Sequence, residues 1–220
     1  DPVTRQRDGG RLYPLSEPKA PKVSGTSEET RARQLLAIID WMDCENPDHK
    51  RYAPRGSVNR ADTYVQDYCA LAGAYLPRVW WTADALARIA LEEHVEPAFE
   101  RTVRMLDTNA LHDWLIDFGA DFGWHRDMDL LSIQEAANAG EVCLIVAKSA
   151  EPNRSGSIVV VPSEHEGCMA KRDKDGDVLR PIESKCASTN RRCITARGAW
   201  WLSDRYADFG LWRNPLDPVA

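Results

Sequence analysis

The sequence has no excess of basic residues and no long apolar run. Its 220 residues contain 28 Lys and Arg against 34 Asp and Glu, for a formal net charge of −6. Binding along a phosphate backbone needs a concentrated basic face, so we expect no nucleic-acid partner. No stretch approaches the roughly 20 apolar residues that span a bilayer, so we expect no membrane partner. No basic start precedes an apolar stretch, so we expect no signal peptide, and the lack of an initial Met predicts that the natural N-terminus was removed.

Zinc-type cysteine spacing is also missing. No cysteine pair has C-x-x-C spacing and no Cys/His cluster has zinc-finger spacing, so we expect no structural metal. An even number of cysteines permits disulfides, and Cys186 and Cys193 could clip a hairpin, whereas Cys143 lies in an apolar run and is expected as a buried thiol. Six reduced thiols in a cytoplasmic protein remain the alternative. At least one disulfide is favoured, and with it a secreted or periplasmic location.

The order of the hydrophobic patterns predicts an α+β domain, with helices packed on one antiparallel sheet. Residues 1–25 contain four prolines and Gly9-Gly10, and predict a flexible arm that is laid on the surface or left loose. Residues 26–220 are predicted to form a single domain. Helices are predicted to start near Thr26, Asn59, Thr82, Asn109 and Ser132. Strands are predicted at 142–147 and 158–161, as adjacent buried strands, and at 193–195 and 199–202.

The stretch from Asn59 to Tyr68 carries the most chemical information, because it opens a helix directly after a loop. Unpaired backbone N–H groups and the helix dipole stabilise a thiolate at such a place. The stretch resembles the "C-N-x-[YF]-[VA]-x-D" helix start of NlpC/P60- and CHAP-like amidases and peptidases, with Ala61 at the cysteine position. Residues 73–80 resemble a "G-x-x-L-P-R-V" segment of bacterial cell-wall-degrading members. Residues 155–162 resemble the histidine strand of the family, with Ser157 at the histidine position.

The resemblance implies a papain-like fold and a cysteine hydrolase that needs no cofactor. Its substrate is an amide bond in the peptide part of peptidoglycan, cut by a thiolate at position 61 with a histidine at position 157. Backbone N–H groups at the helix start hold the oxyanion, with help from Tyr52, and Glu164 could orient the histidine. Such proteins are secreted or periplasmic, and an antibacterial effector of this kind is often paired with an immunity protein.

Aromatic residues and one histidine are candidates for binding substrate beside Asn59. Trp80, Trp81 and Trp124 could form a platform for a glycan or a peptide stem, and His125 could border the groove. The alternative places these tryptophans in the core. The other histidines, including His49, His94 and His112, are expected on the surface, and the acidic run 173–177 is interpreted as a hairpin turn rather than a calcium loop, since Ser184 stands at its twelfth position.

The two departures from the family pattern decide what the chain can do. Alanine is no nucleophile and serine is no general base at neutral pH, so the chain as written should not hydrolyse by the Cys–His route. Both changes could be engineered, or both natural in a pseudoenzyme that binds cell wall or a protein partner. A protease or transglutaminase-like enzyme on the same scaffold is a third alternative.

Overall fold

The computed structural model describes residues 1–56 and 58–216, which form a mixed α+β structure. The predicted α+β class is therefore confirmed. The α-helices of this part are α1 (Glu28–Met42), α2 (Ala61–Ala72), α3 (Ala83–Ala90), α4 (Thr108–Phe118) and α5 (Leu130–Asn138). The strands are β1 (Val79–Trp81), β2 (Val103–Met105), β3 (His125–Asp127), β4 (Val142–Ser149), β5 (Ser157–Val161), β6 (Lys171–Arg172), β7 (Val178–Arg180), β8 (Ile182–Lys185), β9 (Arg191–Thr195) and β10 (Tyr206–Asn214).

Six strands form the main sheet in the order β3-β10-β4-β5-β8-β9, and all neighbours are antiparallel. β4 and β5 lie in its middle and are almost entirely buried, as their unbroken apolar runs predicted. Side chains alternate between the two faces of a strand. Leu144 and Val160 accordingly belong to the core shared with α1, α2 and α4, whereas Ile145 and Val159 pack on the opposite face with α5. The sheet is thus covered on both sides.

The two small sheets are antiparallel pairs of strands: α3 lies between β1 and β2, whereas a tight turn joins β6 to β7. β1 pairs with β2, and β6 pairs with β7 around the acidic turn. Within that turn the Asp173 carboxylate accepts the N–H groups of Asp175 and Asp177, at 2.9 and 3.0 Å. The run 173–177 is therefore the hairpin turn that the sequence predicted.

Three helices begin one to three residues earlier or later than predicted, because other polar side chains cap them. Ser27, not Thr26, accepts the N–H of Thr30 at the start of α1. Asp107 caps α4 in place of Asn109. Asp129 caps α5 and accepts the N–H of Ser132, the residue predicted as the cap. Thr82 caps α3 as predicted. A short side chain with an acceptor oxygen can cap wherever the chain turns, so neighbouring candidates compete.

The predicted strand at 199–202 is wrong. Residues Trp200–Leu202 form a short 3₁₀ helix, in which Trp201 is buried and Leu202 is largely exposed. In this helical turn, neighbouring side chains point to different sides of the chain. One edge strand of the main sheet is β9.

The disulfide joins Cys168 to Cys193, with Cα atoms 6.3 Å apart. The expectation of at least one disulfide is thus met, but the predicted Cys186–Cys193 clip is wrong. Cys186 turns into the core with no exposed surface, whereas Cys193 lies on the edge strand β9 and remains partly accessible. Cys143 is a buried free thiol, as predicted.

Two histidines that were expected on the surface are buried. His49 lies against the end of α1, with Nδ1 at 3.0 Å from the carbonyl oxygens of Met42 and Asp43. His112 is held between two carboxylates, 3.2 Å from Asp113 and 3.3 Å from Asp208. Imidazole is small enough to be buried wherever the fold supplies polar partners, and sequence does not show those partners.

The N-terminal arm, residues 1–25, contains no helix or strand but lies on the body of the domain. Leu15 and Val23 pack against the core. The guanidinium of Arg5 stacks on Trp41 at 3.7 Å and forms an ion pair with Glu17. The sequence left open whether the arm lies on the domain surface or is loose, and in the structure it lies on the surface.

A buried carboxylate joins this arm to α2. Asp67 is fully buried and receives hydrogen bonds from Arg51, Arg78 and the hydroxyl of Tyr52. Burial opposes the charge of Arg51, but the hydrogen bond and charge of Asp67 outweigh it and leave the pKa of Arg51 above its ordinary value. Removing one partner of such a pair leaves a charge without compensation in the core.

We therefore expect Asp67→Asn to lower the free energy of unfolding by roughly 3–5 kcal/mol, because Arg51 stays buried without its counter-charge. Urea denaturation followed by circular dichroism measures this. The control is Glu93→Gln, which breaks the exposed pair of Glu93 with Arg88 and should cost less than about 1 kcal/mol. Equal losses in the two variants would contradict the prediction.

Candidate functional site

Ala61 is the first residue of α2, and the loop before it ends in a local cap. The side-chain oxygen of Asn59 accepts the N–H of Ala61 at 3.2 Å, and Arg60 at the cap position makes no such bond. Next along the helix, the Asp62 carboxylate accepts the N–H of Thr63 at 2.7 Å. Burial, the largest cause, raises the pKa of Asp62 despite the nearby arginines. The first turn of α2 is therefore polar but almost inaccessible to solvent.

Ser157 is the first residue of β5 and faces the last strand across β4. It pairs in register with Ala147, and its hydroxyl lies 2.6 Å from the hydroxyl of Tyr206 at the start of β10. A hydrogen bond of this length between two hydroxyl groups is well formed. The polar atom of Ser157 thus has a specific partner.

Ala61 and Ser157 line the same pocket, which has a volume of about 180 Å³. The pocket lies between the start of α2, the start of β5 and the end of β8. Its lining residues are Asn59, Ala61, Ser157, Ile158, Val159, Lys185, Cys186, Ala187, Trp200 and Tyr206. The structure therefore brings together the two positions that the sequence singled out, and Asn59 with them.

A buried glutamate organises one wall of the pocket. Glu183 has no exposed side-chain surface, and its two carboxylate oxygens bind Lys185, at 2.6 Å, and the indole N–H of Trp200. Lys185 and Trp200 both line the pocket. No sequence motif marked either residue. The indole N–H of a partly buried tryptophan usually finds a hydrogen-bond partner, but the sequence does not show that Glu183 is that partner.

Cys186 also lines the pocket but does not replace the missing nucleophile. Burial, above all, and the neighbouring Cys44 raise the pKa of the Cys186 thiol well above its ordinary value. The attacking species in cysteine chemistry is the thiolate. Cys69, farther along α2, is a buried thiol with a raised pKa for the same main reason. The chain as written thus presents no activated thiol here among the described residues.

The expected role of Tyr52 needs correction. Tyr52 is fully buried, its hydroxyl donates to Asp67 at 3.2 Å, and its ring packs edge-on against Tyr64. Burial raises the pKa of Tyr52 well above its ordinary value. It does not line the pocket, so it supports α2 rather than binding an oxyanion or a substrate.

None of the three tryptophans predicted to form a platform lines the pocket. Trp124 is buried and donates its indole N–H to the carbonyl of Tyr75 at 2.8 Å. Trp80 packs edge-on against Trp114, with ring centroids 5.6 Å apart. Trp80 belongs to an aromatic cluster beside α4 and packs partly buried against the core, and Trp124 is part of the core, as the alternative stated above has it. Trp81 lies on β1, where it pairs with Val103 of β2, and it does not line the pocket.

His125 borders a different cavity. It is exposed on β3 and lines a groove of about 890 Å³ that also includes Tyr75 and Leu216. This groove does not contain Ala61 or Ser157. The expectation that His125 borders the groove of the two singled-out positions is therefore not met.

Glu164 does not orient a residue at position 157. It follows the far end of β5, and its carboxylate binds Arg172 at 2.6 Å, the side-chain amide of Asn138 and the N–H of Ala170. The hydrogen bond from Arg172 is the largest cause that lowers the pKa of Glu164 to about 2. The carboxylate therefore ties the loop after β5 to the end of α5.

Comparisons with protein-family models, curated sequences and solved structures find no match to this chain. Within residues 1–56 and 58–216, none of the helices combines the length and apolar character that crossing a bilayer requires. The residues of the pocket and their contacts thus carry the functional argument.

The Glu164 pair predicts a pH-dependent contribution to stability. The folded pKa of about 2 lies below the ordinary value of 4.5, so the contribution is present above pH 4.5 and lost as the pH falls towards 2. We expect Glu164→Gln to lower the free energy of unfolding by about 2 kcal/mol at pH 7. Urea titrations at several pH values should show the gap to the unmodified protein closing below pH 4.5. The exposed Glu166→Gln serves as control, and a gap that does not depend on pH would refute the assignment.

Proposed function

We propose that this chain is a peptidoglycan-directed domain with the papain-like site of a cysteine amidase or endopeptidase, and that it binds its ligand without cleaving it. The observation that supports this proposal is the shared pocket of Ala61 and Ser157, which come from distant parts of the sequence. A nucleophile at a helix start and a base on a facing strand is the arrangement that amide hydrolysis by a thiolate requires.

The two substituted side chains explain the loss of hydrolysis. A thiol at position 61 would lie where the helix dipole favours its thiolate, and an imidazole at position 157 would take its proton across the pocket. The methyl group of Ala61 has no electron pair to donate. The hydroxyl of Ser157 forms a hydrogen bond with the hydroxyl of Tyr206, and a serine hydroxyl does not act as a base at neutral pH. An amide that enters the pocket therefore stays intact by this route.

The pocket suits one residue of a longer ligand. Its volume of about 180 Å³ is below the roughly 300 Å³ at which sites for whole small molecules begin. Lys185, Tyr206 and Asn59 supply hydrogen-bonding groups, and Trp200 supplies an apolar face. A stem peptide of peptidoglycan offers carboxylates, amides and short apolar side chains. The setting that goes with it is secreted or periplasmic, and an immunity protein would bind over this pocket.

A natural binding module is the second candidate. The hydrogen bond between Ser157 and Tyr206 favours it, because the serine hydroxyl is satisfied and contributes to the wall rather than leaving a gap. In this case the same pocket would serve recognition alone, and the chain would never have needed a thiolate.

Restoring both side chains tests the hydrolase architecture. The variant Ala61→Cys with Ser157→His should release new amino termini from muropeptides, detected by chromatography and mass spectrometry. Each single variant should be at least about a hundredfold slower, since a thiol without its base, or a base without its thiol, loses acid–base assistance.

The control is Ala70→Cys with Ser157→His, which places the thiol on the exposed face of the same helix. It should behave like Ser157→His alone. If the double variant folds, as judged by circular dichroism, and leaves muropeptides unchanged, the hydrolase architecture is rejected and the binding module remains.

Binding by the unmodified chain is tested separately by calorimetry with purified muropeptides. Ala187→Trp fills the pocket and should weaken binding at least about tenfold, because the ligand residue and the indole compete for one small volume. The matched control, Ala70→Trp, adds the same side chain at an exposed position. No heat of binding to any muropeptide, or equal weakening in both variants, would contradict the proposed ligand.

A further inference from the structure

A tight turn after β5 brings a histidine and a cysteine together. The N–H groups of His165 and Cys168 each donate to the other residue's carbonyl, at 3.1 and 2.9 Å, so the two residues face each other across Glu166 and Gly167. Gly167 has φ +83°, a left-handed conformation that glycine adopts without strain, and a Cβ there would meet open space. The turn holds both side chains on the same side of the chain.

A second cysteine reaches this turn from the edge of the sheet. Cys193 lies on β9, near the register shift against β8, and it is the disulfide partner of Cys168. The hydroxyl of Thr195 donates to the carbonyl of Met169 at 2.9 Å and fixes the end of β9 to the same turn. One ligand atom from each of His165, Cys168 and Cys193 lies within 4.8 Å of the other two.

The hydrogen bond of His165 determines which ring nitrogen is free. Nδ1 lies 3.1 Å from the carbonyl oxygen of Ser163. A carbonyl oxygen only accepts, so Nδ1 carries the proton and the neutral ring keeps its lone pair on Nε2. Histidines that bind metals are almost always oriented in this way, by a hydrogen bond from the other nitrogen to a carbonyl or carboxylate.

We propose that, when the Cys168–Cys193 disulfide is reduced, the two thiolates and Nε2 of His165 bind a divalent ion of the zinc class. Three protein ligands with a fourth position left to water are a regular zinc arrangement, and H-x-x-C followed by a distant cysteine supplies them. Two thiolates and an imidazole select zinc, cobalt or cadmium over the oxygen-seeking magnesium and calcium. The proposal does not depend on the pocket of Ala61 and Ser157.

The chemistry of the exchange balances with a dithiol as reductant. The dithiol transfers two electrons and two protons to the disulfide and becomes a cyclic disulfide, and Cys168 and Cys193 become thiols. The ion then displaces two protons and forms two metal–sulfur bonds. A disulfide oxidant reverses the sequence: it takes two electrons from the bound thiolates and two protons from solvent and becomes a dithiol, while the Cys168–Cys193 bond forms again and the ion is released. The same residues are therefore either a covalent link or a metal site.

Cobalt binding provides the test. The purified protein is reduced with a dithiol, freed from it without oxygen, and titrated with cobalt(II) while thiolate-to-cobalt charge-transfer absorbance is recorded. We expect saturation at one equivalent, displacement by zinc, and no such band in the oxidised protein. His165→Gln should weaken binding at least about tenfold, and Cys168→Ser with Cys193→Ser should abolish it.

Two controls separate this site from nonspecific binding. His94→Gln removes an exposed histidine outside the cluster and should leave the titration unchanged. Near-ultraviolet circular dichroism reports whether the reduced protein stays folded. The proposal is overturned if the folded, reduced protein shows no charge-transfer band, or if His165→Gln binds as tightly as the unmodified chain. It is also overturned if reduction unfolds the protein and zinc does not restore the spectrum.

Discussion

The buried carboxylate of Asp67 is the constraint on which the placement of α2 depends. Asp67 holds Arg51 within the core, where an arginine is tolerated only with a partner. Arg51 in turn donates to the carbonyls of Asp8, Gly10 and Tyr13 and so draws the N-terminal arm against the helix. One negative charge thereby unites a segment without regular structure, the loop before α2 and the helix itself.

This arrangement explains why the helix start can form a site at all. Arg11 from the arm reaches Asp62 at 3.3 Å and the carbonyl of Asn59 at the same distance, so the arm also contacts the first turn of α2. The pocket then opens between this anchored turn and the beginning of β5. On its other side, the buried Glu183 positions Lys185 and Trp200 through its two oxygens. Asp67 on α2 and Glu183 on β8 are both buried carboxylates, and they therefore stabilise opposite walls of one small cavity.

The helix–strand order and the pairing of β4 with β5 could be predicted because the signals are local. A capping side chain before a helical period, or a β-branched run between turns, acts over a few residues. The aromatic residues show where this reasoning ends. Trp80, Trp124 and Trp200 have the same side chain, yet the first two pack into the core and only the third lines the pocket. The difference arises from neighbours that are remote in the sequence.

The cysteines and histidines show the same limit. Cys186 and Cys193 are close in the sequence, but Cys186 is buried in the core and Cys193 lies on the edge strand. Cys193 therefore pairs with Cys168 and not with Cys186. His165 was among the histidines expected on the surface, and its proximity to Cys168 and Cys193 depends on how the turn meets the edge strand.

The sequence by itself determined the α+β class, a helix that starts near Asn59 and a strand at 158–161, because backbone periodicity and capping depend on residues that are consecutive in the chain. Only the tertiary structure decided that these two positions share a pocket with Lys185, Trp200 and Tyr206, that Asp67 anchors the arm, and which thiols meet. Each of these depends on side-chain packing between distant segments, and local pattern does not encode that packing.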